Sequence, residues 1–388
     1  VTPSFARTVG ETDATTLHAS VMGGRLTVWC MGDLGKRIER RLKRSIFGWM
    51  AGNAAPGATA PMAIVLDDVR RVLVVRPNFR MGNLLLLTPG LTALRQRLPA
   101  ARIDVISGGQ YLSLLANNPD VDGMIRVDRH TFTPRALRRL SRYLRTAAYD
   151  LTIDGARGGS FLGATIVGLS RSRYRVGSSD SRYRRFFNVL VPTREGSAHK
   201  VELFLRVLEG IGVPPVSSGM KVALTEDEMR EADALWSSIG IPLGRRTVGV
   251  NLSARGLKRV EADHMLAIVR SLQSDGFATV LFAGPEDAEA LAELQIRMPA
   301  GSLVAPPLPI RRFAAMLARC DIVVTADTGP MHLAAAVGTA TVTIVVDPRS
   351  TDYVPLGDQH RAVVGGDHTT VQDTLAVVRE LVAHARRA

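Results

Sequence analysis

The sequence predicts an α/β fold of two doubly wound, parallel-sheet halves that face a cleft, and three observations carry the prediction. Short β-rich runs alternate with helical stretches in two successive series. A turn-rich stretch with Pro214-Pro215 and Ser217-Ser218-Gly219 separates them. The chain has 388 residues, 46% apolar and 22% charged, which is ordinary globular usage and room for two domains at ~150 residues each.

Residues 1–69 read as an extension ahead of the first series. Within Lys36–Met50, Ile38, Leu42, Ile46, Phe47 and Trp49 recur at roughly helical spacing among basic residues. Such a helix either lies on an anionic membrane surface or packs its stripe on the protein itself. Residues 51–61 are small, uncharged and turn-rich, as in a linker. The first half, 70–215, has strands at Val72–Val75, Ile103–Ile106, Gly123–Val127 and Leu151–Ile153, with helices over 84–97, 110–117 and 134–146. The alternation weakens between Arg171 and Pro192, and a helix over 198–211 closes the half. The second half, 220–388, has strands near 247–251, 278–283, 321–325 and 341–346. Its helices fall near 226–239, 261–274, 286–297, 310–318, 329–337 and 370–387. Ligands of such sheets bind outside the carboxyl ends of the strands, so the strand-to-helix turns are where chemistry is expected.

The formal charge of +13 is divided unevenly. Residues 1–222 hold 33 Lys/Arg against 16 Asp/Glu, whereas 223–388 hold 16 against 20. The basic half suits an anionic partner: nucleic acid, membrane headgroups or a phosphorylated glycolipid. Aromatic residues are 5% of the chain and do not interleave with the basic segments, which argues against nucleic acid. Cys30 and Cys320 have neither disulfide-framework nor metal-site spacing, and every apolar run is too short to span a bilayer. Val1–Gly24 lacks a basic start followed by an apolar run, so a cytoplasmic location is expected, with attachment to the inner face of the membrane compatible with the charge.

The most informative turn is Asp327-Thr328-Gly329-Pro330-Met331-His332, where a buried strand runs into a helix. Its first-turn N–H groups make an anion site suited to a diphosphate, with Asp327 placed for sugar hydroxyls and His332 one turn inside. Ordinary capping by Asp327 or Thr328, with His332 in the core, is the alternative. The turn after Asn251 carries Ser253 and two cations, Lys258 and Arg259, able to meet charge on a leaving phosphate or simply solvated. Glu286 follows another strand, placed for a ribose hydroxyl or to favour the next helix N-terminus.

In the first half, Arg76-Pro-Asn-Phe-Arg80-Met-Gly82-Asn83 joins a strand to a helix, with Asn83 at an N-cap position. Asp154-Gly-Ala-Arg157 places a carboxylate at a strand tip, facing the cleft or forming a turn. Asp120-Val-Asp122 has the spacing used for divalent cations but precedes a strand, so no metal site is expected. Signatures of P-loop nucleotide hydrolases, serine hydrolases and zinc proteases are absent from the sequence.

Together these turns resemble glycosyltransferase family 9, the heptosyltransferases of the lipopolysaccharide core. The likeness covers roughly residues 70–387 and rests on Val72–Arg76 with Met81–Pro89, Asn118–Asp122, and above all Asp327–Ala334 with Gly338. It implies two Rossmann-like domains in the GT-B arrangement, with the acceptor in the basic half and the nucleotide-sugar in the other. It also implies an inverting, metal-independent transfer without a cofactor, the co-substrate being a nucleotide diphosphate sugar, ADP-heptose first. By the same resemblance Lys258 holds the phosphates and takes part in catalysis, and Glu286 binds the ribose. Ser253, Asp327, Thr328, Gly329 and His332 complete the donor site, and Arg76, Arg80, Gly82 and Arg157 face the acceptor.

One departure stands out. The family has Gly-Asp where this chain has Gly82-Asn83, and that Asp resembles the base that deprotonates the acceptor hydroxyl. An amide cannot take the proton. Either another group serves as base, with Asp154 the candidate, or Asn83 only orients the acceptor, or the enzyme is slow or inactive. A non-catalytic nucleotide-sugar-binding protein, or a nucleotide-sugar epimerase of related fold, is the alternative reading.

Overall fold

The structure, a computed structural model, describes residues 18–22, 25–29, 60–127, 133–156, 159–193, 199–241, 244–253, 260–284, 287–365 and 371–384. Contacts divide the chain into Val1–Ala55 and Pro56–Ala388. In the first unit β1 (His18–Met22) pairs antiparallel with β2 (Arg25–Trp29). The basic segment Lys36–Met50 lies outside the described residues.

The second unit holds two six-stranded sheets, parallel throughout. The first has β3 (Arg71–Arg76), β4 (Arg102–Gly108), β5 (Gly123–Val127), β6 (Leu151–Asp154), β7 (Tyr174–Ser178) and β8 (Val189–Val191), in the order 5-4-3-6-7-8. The second has β9 (Thr247–Asn251), β10 (Ala278–Phe282), β11 (Leu303–Val304), β12 (Ile322–Ala326), β13 (Ala340–Val345) and β14 (His360–Val364), in the order 11-10-9-12-13-14. Each sheet starts at its centre, winds outward to one edge and then crosses back to the other, which is the Rossmann order. The reversal falls between β3 and β6 and between β9 and β12, and the crevice it opens is where such sheets bind ligands. Two such halves make the GT-B arrangement. Central strands such as β3 bury four consecutive apolar residues, Val72–Val75, because helices cover both faces.

The first half carries α1 (Met81–Leu85), α2 (Thr88–Arg97), α3 (Pro134–Ala147), α4 (Phe161–Ser170) and α5 (Lys200–Glu209). The second carries α6 (Glu226–Ser238), α7 (Ala262–Ser274), α8 (Ala288–Arg297), α9 (Ile310–Leu317), α10 (Gly329–Ala336) and α11 (Val371–His384). α2 packs with α5 and α3 with α4, as expected of a sheet covered on both faces. The core begins ahead of residue 70, since Ile64, Leu66 and Val69 are buried in it.

Several elements differ from the sequence reading. The helix expected over 84–97 starts earlier and breaks in two, because Pro89 lacks an N–H and its ring crowds the carbonyl of Leu85. Thr88 Oγ1 donates to that carbonyl at 2.7 Å. Asn83 is consequently inside α1 rather than at its N-cap, which falls on Arg80. The helix expected over 110–117 shrinks to a 3-10 turn, Leu112–Leu115, ended by Asn117 at φ 62° and by Asn118, whose Oδ1 accepts from the Asp120 amide at 2.9 Å. The arginine-rich stretch 171–192 holds two strands. Arg175 there spends its guanidinium on the carbonyls of Phe186 (3.1 Å) and Ser172 (3.0 Å), so its charge is satisfied within the fold.

The halves are tied on one side. α1 belongs to the first half by sequence, yet Met81 and Leu85 join the apolar cluster of Ala315, Leu333 and Ala334 in the second. Arg311 on α9 pairs with Glu228 and donates to the carbonyls of Ser113 (3.0 Å) and Ala223 (2.7 Å). Both side chains are mostly buried, so Arg311→Ala strips Glu228 of its ion-pair partner and leaves it only the Thr225 amide. A loss of about 3 kcal/mol is expected, read by urea unfolding at neutral pH.

Candidate active site

The carboxyl ends of β3 and β6 form one wall of a cavity of about 380 Å³. Arg76, Asn83 and Gly155 line it from the first half with Leu86 and Leu87, the α5 residues Lys200, Leu203 and Phe204 add a second side, and Tyr353 comes from the other half. The cavity is thus amphipathic, with two cations, an amide, two aromatic rings and a leucine floor. Lys200 Nζ lies 3.3 Å from Asp352 Oδ2 and 5.2 Å from the Tyr353 ring centre. Its neighbour His199 is 2.5 Å through Nε2 from the Val354 carbonyl. These contacts hold the 352–354 segment over the cavity.

Asp154 sits directly behind this wall, 2% exposed, at the last position of β6. Its Oδ1 accepts from the Ala156 amide at 3.0 Å, and its Oδ2 has no hydrogen-bond partner. Burial pushes the carboxyl up to about 7, restrained by that amide bond and by the charge of Arg76. Burial also lowers Arg76, against the opposing influence of Asp154 and Tyr353, and its Nε is likewise without a partner. An arginine nevertheless stays protonated. The cavity therefore adjoins a carboxyl able to gain or lose a proton near neutrality.

In the second half the strand tips at the crevice are cross-braced. Asn251 Nδ2 donates to Thr325 Oγ1 at 3.1 Å, joining β9 to β12, and the Gly284 amide donates to Ser253 Oγ at 2.7 Å, joining the turns after β9 and β10. Asp327 is 4% exposed at the end of β12. Thr328 occupies the N-cap position of α10 with no side-chain capping bond, its hydroxyl turning back to the Ala326 carbonyl at 3.4 Å. Capping therefore does not account for Thr328. Pro330 at the second helical position costs no hydrogen bond.

The two halves meet through their helix entrances. A Cβ added to Gly82 would lie 2.4 Å from His332 Cδ2, and one added to Gly329 would lie 2.6 Å from Met81 Cε. So Gly82, expected at the acceptor, packs against His332, expected at the donor, 250 positions away in sequence. Arg76 and Asn83 line the cavity, whereas Arg80 is exposed and outside its lining. Lys258, Glu286 and Arg157 lie outside the described residues. Lys200, Phe204 and Tyr353 were not anticipated; the first two sit on a helix whose pattern reads as ordinary, and Tyr353 arrives from the other half. Asp120 and Asp122 are used structurally, accepting from Thr92 Oγ1 at 2.6 Å and from the Ile103 amide at 2.7 Å.

The profile of glycosyltransferase family 9 (heptosyltransferase) matches residues 137–376, more than half of the chain. The protein belongs to this family. This family 9 glycosyltransferase is 23% identical over 284 residues to lipopolysaccharide heptosyltransferase 3 of Escherichia coli, spanning 68% of this chain and 80% of that one. Its fold is similar to that of a family 9 glycosyl transferase from Veillonella parvula, with a TM-score of 0.73 and 22% identity over 81% of this chain and 98% of the other. The E. coli ADP-heptose lipopolysaccharide heptosyltransferase II superposes with a TM-score of 0.67 at 21% identity, over 81% and 99% of the two chains.

Proposed function

We propose that this glycosyltransferase moves heptose from ADP-heptose to a lipopolysaccharide-core or related glycolipid acceptor, with inversion and without a metal. The observation that carries the reading is the meeting of Gly82 with His332, which brings the two motifs of the family resemblance to one crevice. The names of the relatives, one of them an ADP-heptose enzyme, support the donor and the acceptor class.

In this reading the acceptor sugar occupies the cavity beside Asn83 and Arg76, with Arg80 and Arg157 at its approach. The acceptor oxygen attacks the anomeric carbon of the donor as the bond to the diphosphate breaks. The hydroxyl proton passes to the Asp154 carboxylate, and the nucleotide diphosphate leaves with the electron pair. Charge growing on the diphosphate is met by the N-terminus of α10 at Gly329 and by Lys258. Ser253, Glu286, Asp327, Thr328 and His332 hold the donor. The one Asp-x-Asp pair, Asp120 and Asp122, is engaged with Thr92, Ile103 and Arg95, which supports a metal-free transfer. A glycolipid acceptor implies action at the cytoplasmic face of a membrane.

Single-turnover transfer from ADP-heptose to lipid A-core acceptor tests the base. Asn83→Asp introduced into Asp154→Asn is expected to restore at least ten-fold of the lost rate, by returning a carboxylate to the cavity. Full activity of Asp154→Asn alone would sink the assignment.

A further inference from the structure

A strongly basic surface lies on α3, outside the cavity. Residues 133–193 contain twelve arginines and three aspartates. The aspartates are spent on the fold: Asp150 accepts from the Arg70 and Arg71 amides at 2.8 and 2.9 Å, Asp154 is buried, and Asp180 accepts from Thr193 Oγ1 at 2.6 Å. α3 itself, PRALRRLSRYLRTA, has five arginines and no acid. Leu137, Leu140 and Leu144 turn inward at helical spacing, with only Leu144 fully buried, while all five arginines are exposed and Tyr143 is 49% exposed among them. None of the five forms an ion pair among the described residues.

This helix is electrostatically unfavourable alone. Arg135 and Arg138 stand in or next to its first turn, where the macrodipole repels cations. Arg135–Arg139 and Arg138–Arg142 are like charges four apart, which repel along the helix. An anionic plane beside the helix reverses the sign of both effects. α4 packs against both α3 and the Arg184–Phe186 turn, and Arg182 and Arg184 at that turn are exposed as well.

We propose that this face of the first half docks on an anionic lipid bilayer, α3 lying along the headgroups with Tyr143 at the interface. An array of arginines around one exposed aromatic complements lipid phosphates, and the face lacks the stacking platforms a nucleic acid would use. The choice of a bilayer rests in part on the glycolipid-acceptor reading. A surface on the acceptor half, beside rather than within the cavity, holds the enzyme where such an acceptor projects from the membrane.

The test is vesicle co-sedimentation of the full chain with phosphatidylcholine vesicles containing 30% phosphatidylglycerol, against pure phosphatidylcholine, at low and high salt. A quadruple variant, Arg135→Gln, Arg138→Gln, Arg139→Gln and Arg142→Gln, is compared with a charge-matched control, Arg230→Gln, Arg297→Gln, Arg312→Gln and Arg379→Gln, on the second half. At roughly five-fold per arginine near the surface, the α3 variant should lose a hundred-fold or more in partitioning at low salt, and the control far less. Equal losses in the two variants, retention by the α3 variant, or equal binding to both vesicle types would each overturn the proposal. So would binding to RNA, but not vesicles, that depends on the α3 arginines. Melting temperature should not fall, and turnover of a water-soluble acceptor fragment should be unchanged, in the α3 variant. If wild-type protein transfers nothing to that fragment, the functional reading fails, while the vesicle result still decides the docking surface.

Discussion

Asp154→Asn is expected to slow transfer by orders of magnitude and, above neutral pH, to make the protein more stable. The buried carboxyl titrates near 7 where an exposed aspartate titrates near 4. The folded state therefore holds this proton more tightly than the unfolded chain. Its contribution to stability is complete below about pH 4 and is lost progressively as pH rises to about 7. Three units correspond to about 4 kcal/mol, an upper bound for what a neutral amide recovers at pH 8. Asn keeps the bond from Ala156 because its carbonyl accepts as the carboxylate did. Urea unfolding at pH 8 should show the variant more stable, with the difference vanishing by pH 4. Transfer should fall by ~10²–10⁴-fold with ADP binding unchanged, the range of a lost general base. In the wild type, kcat should decline as pH drops through about 7, because the base must be ionised. A variant with the native pH profile would mean that Asp154 takes no proton from the acceptor.

Gly82→Ala is expected to disable the enzyme although the added group is one methyl. The new Cβ would meet the His332 ring at 2.4 Å, and that ring is 5% exposed, with no open space to move into. Either α1 lifts from α10 or the His332 ring leaves its buried place on α10. Overpacking of this kind costs about 1–3 kcal/mol, and a displacement near 1 Å costs ~100-fold in rate where two substrates must be aligned. Gly329→Ala is the informative contrast. Its Cβ would meet the methyl end of Met81 at 2.6 Å, the free end of a flexible side chain. That variant should lose less than about 1 kcal/mol. His332→Ala combined with Gly82→Ala should restore part of the stability lost in Gly82→Ala alone, a coupling that a double-mutant cycle measures directly. Additive losses would mean that the two residues do not share this contact.

How much of this was legible beforehand varies with the range of the interaction. The buried runs of β3, β6, β9 and β12 and the amphipathic spacing of α3 and α7 are local patterns, so strand, helix and the alternation between them are readable from the chain. Short edge strands such as β11 and β14 bury little and carry weak patterns, and β7 is masked by Arg175, whose guanidinium is spent on backbone carbonyls. The split between α1 and α2 was signalled by Pro89 alone.

By itself the sequence determined the two doubly wound halves, the alternation of strands and helices within them, and the family. These follow from hydrophobic period, turn chemistry and residue identity, which act over a few residues. Only the tertiary structure decided that Gly82 lies under His332, that Tyr353 closes a cavity built by the other half, and that Asp154 is buried with one oxygen unpartnered. Those depend on which surfaces pack together and how completely water is excluded between them. A carboxylate at a strand tip reads the same in sequence whether it is solvated or buried, and its burial is what raises it into the range of neutral-pH chemistry.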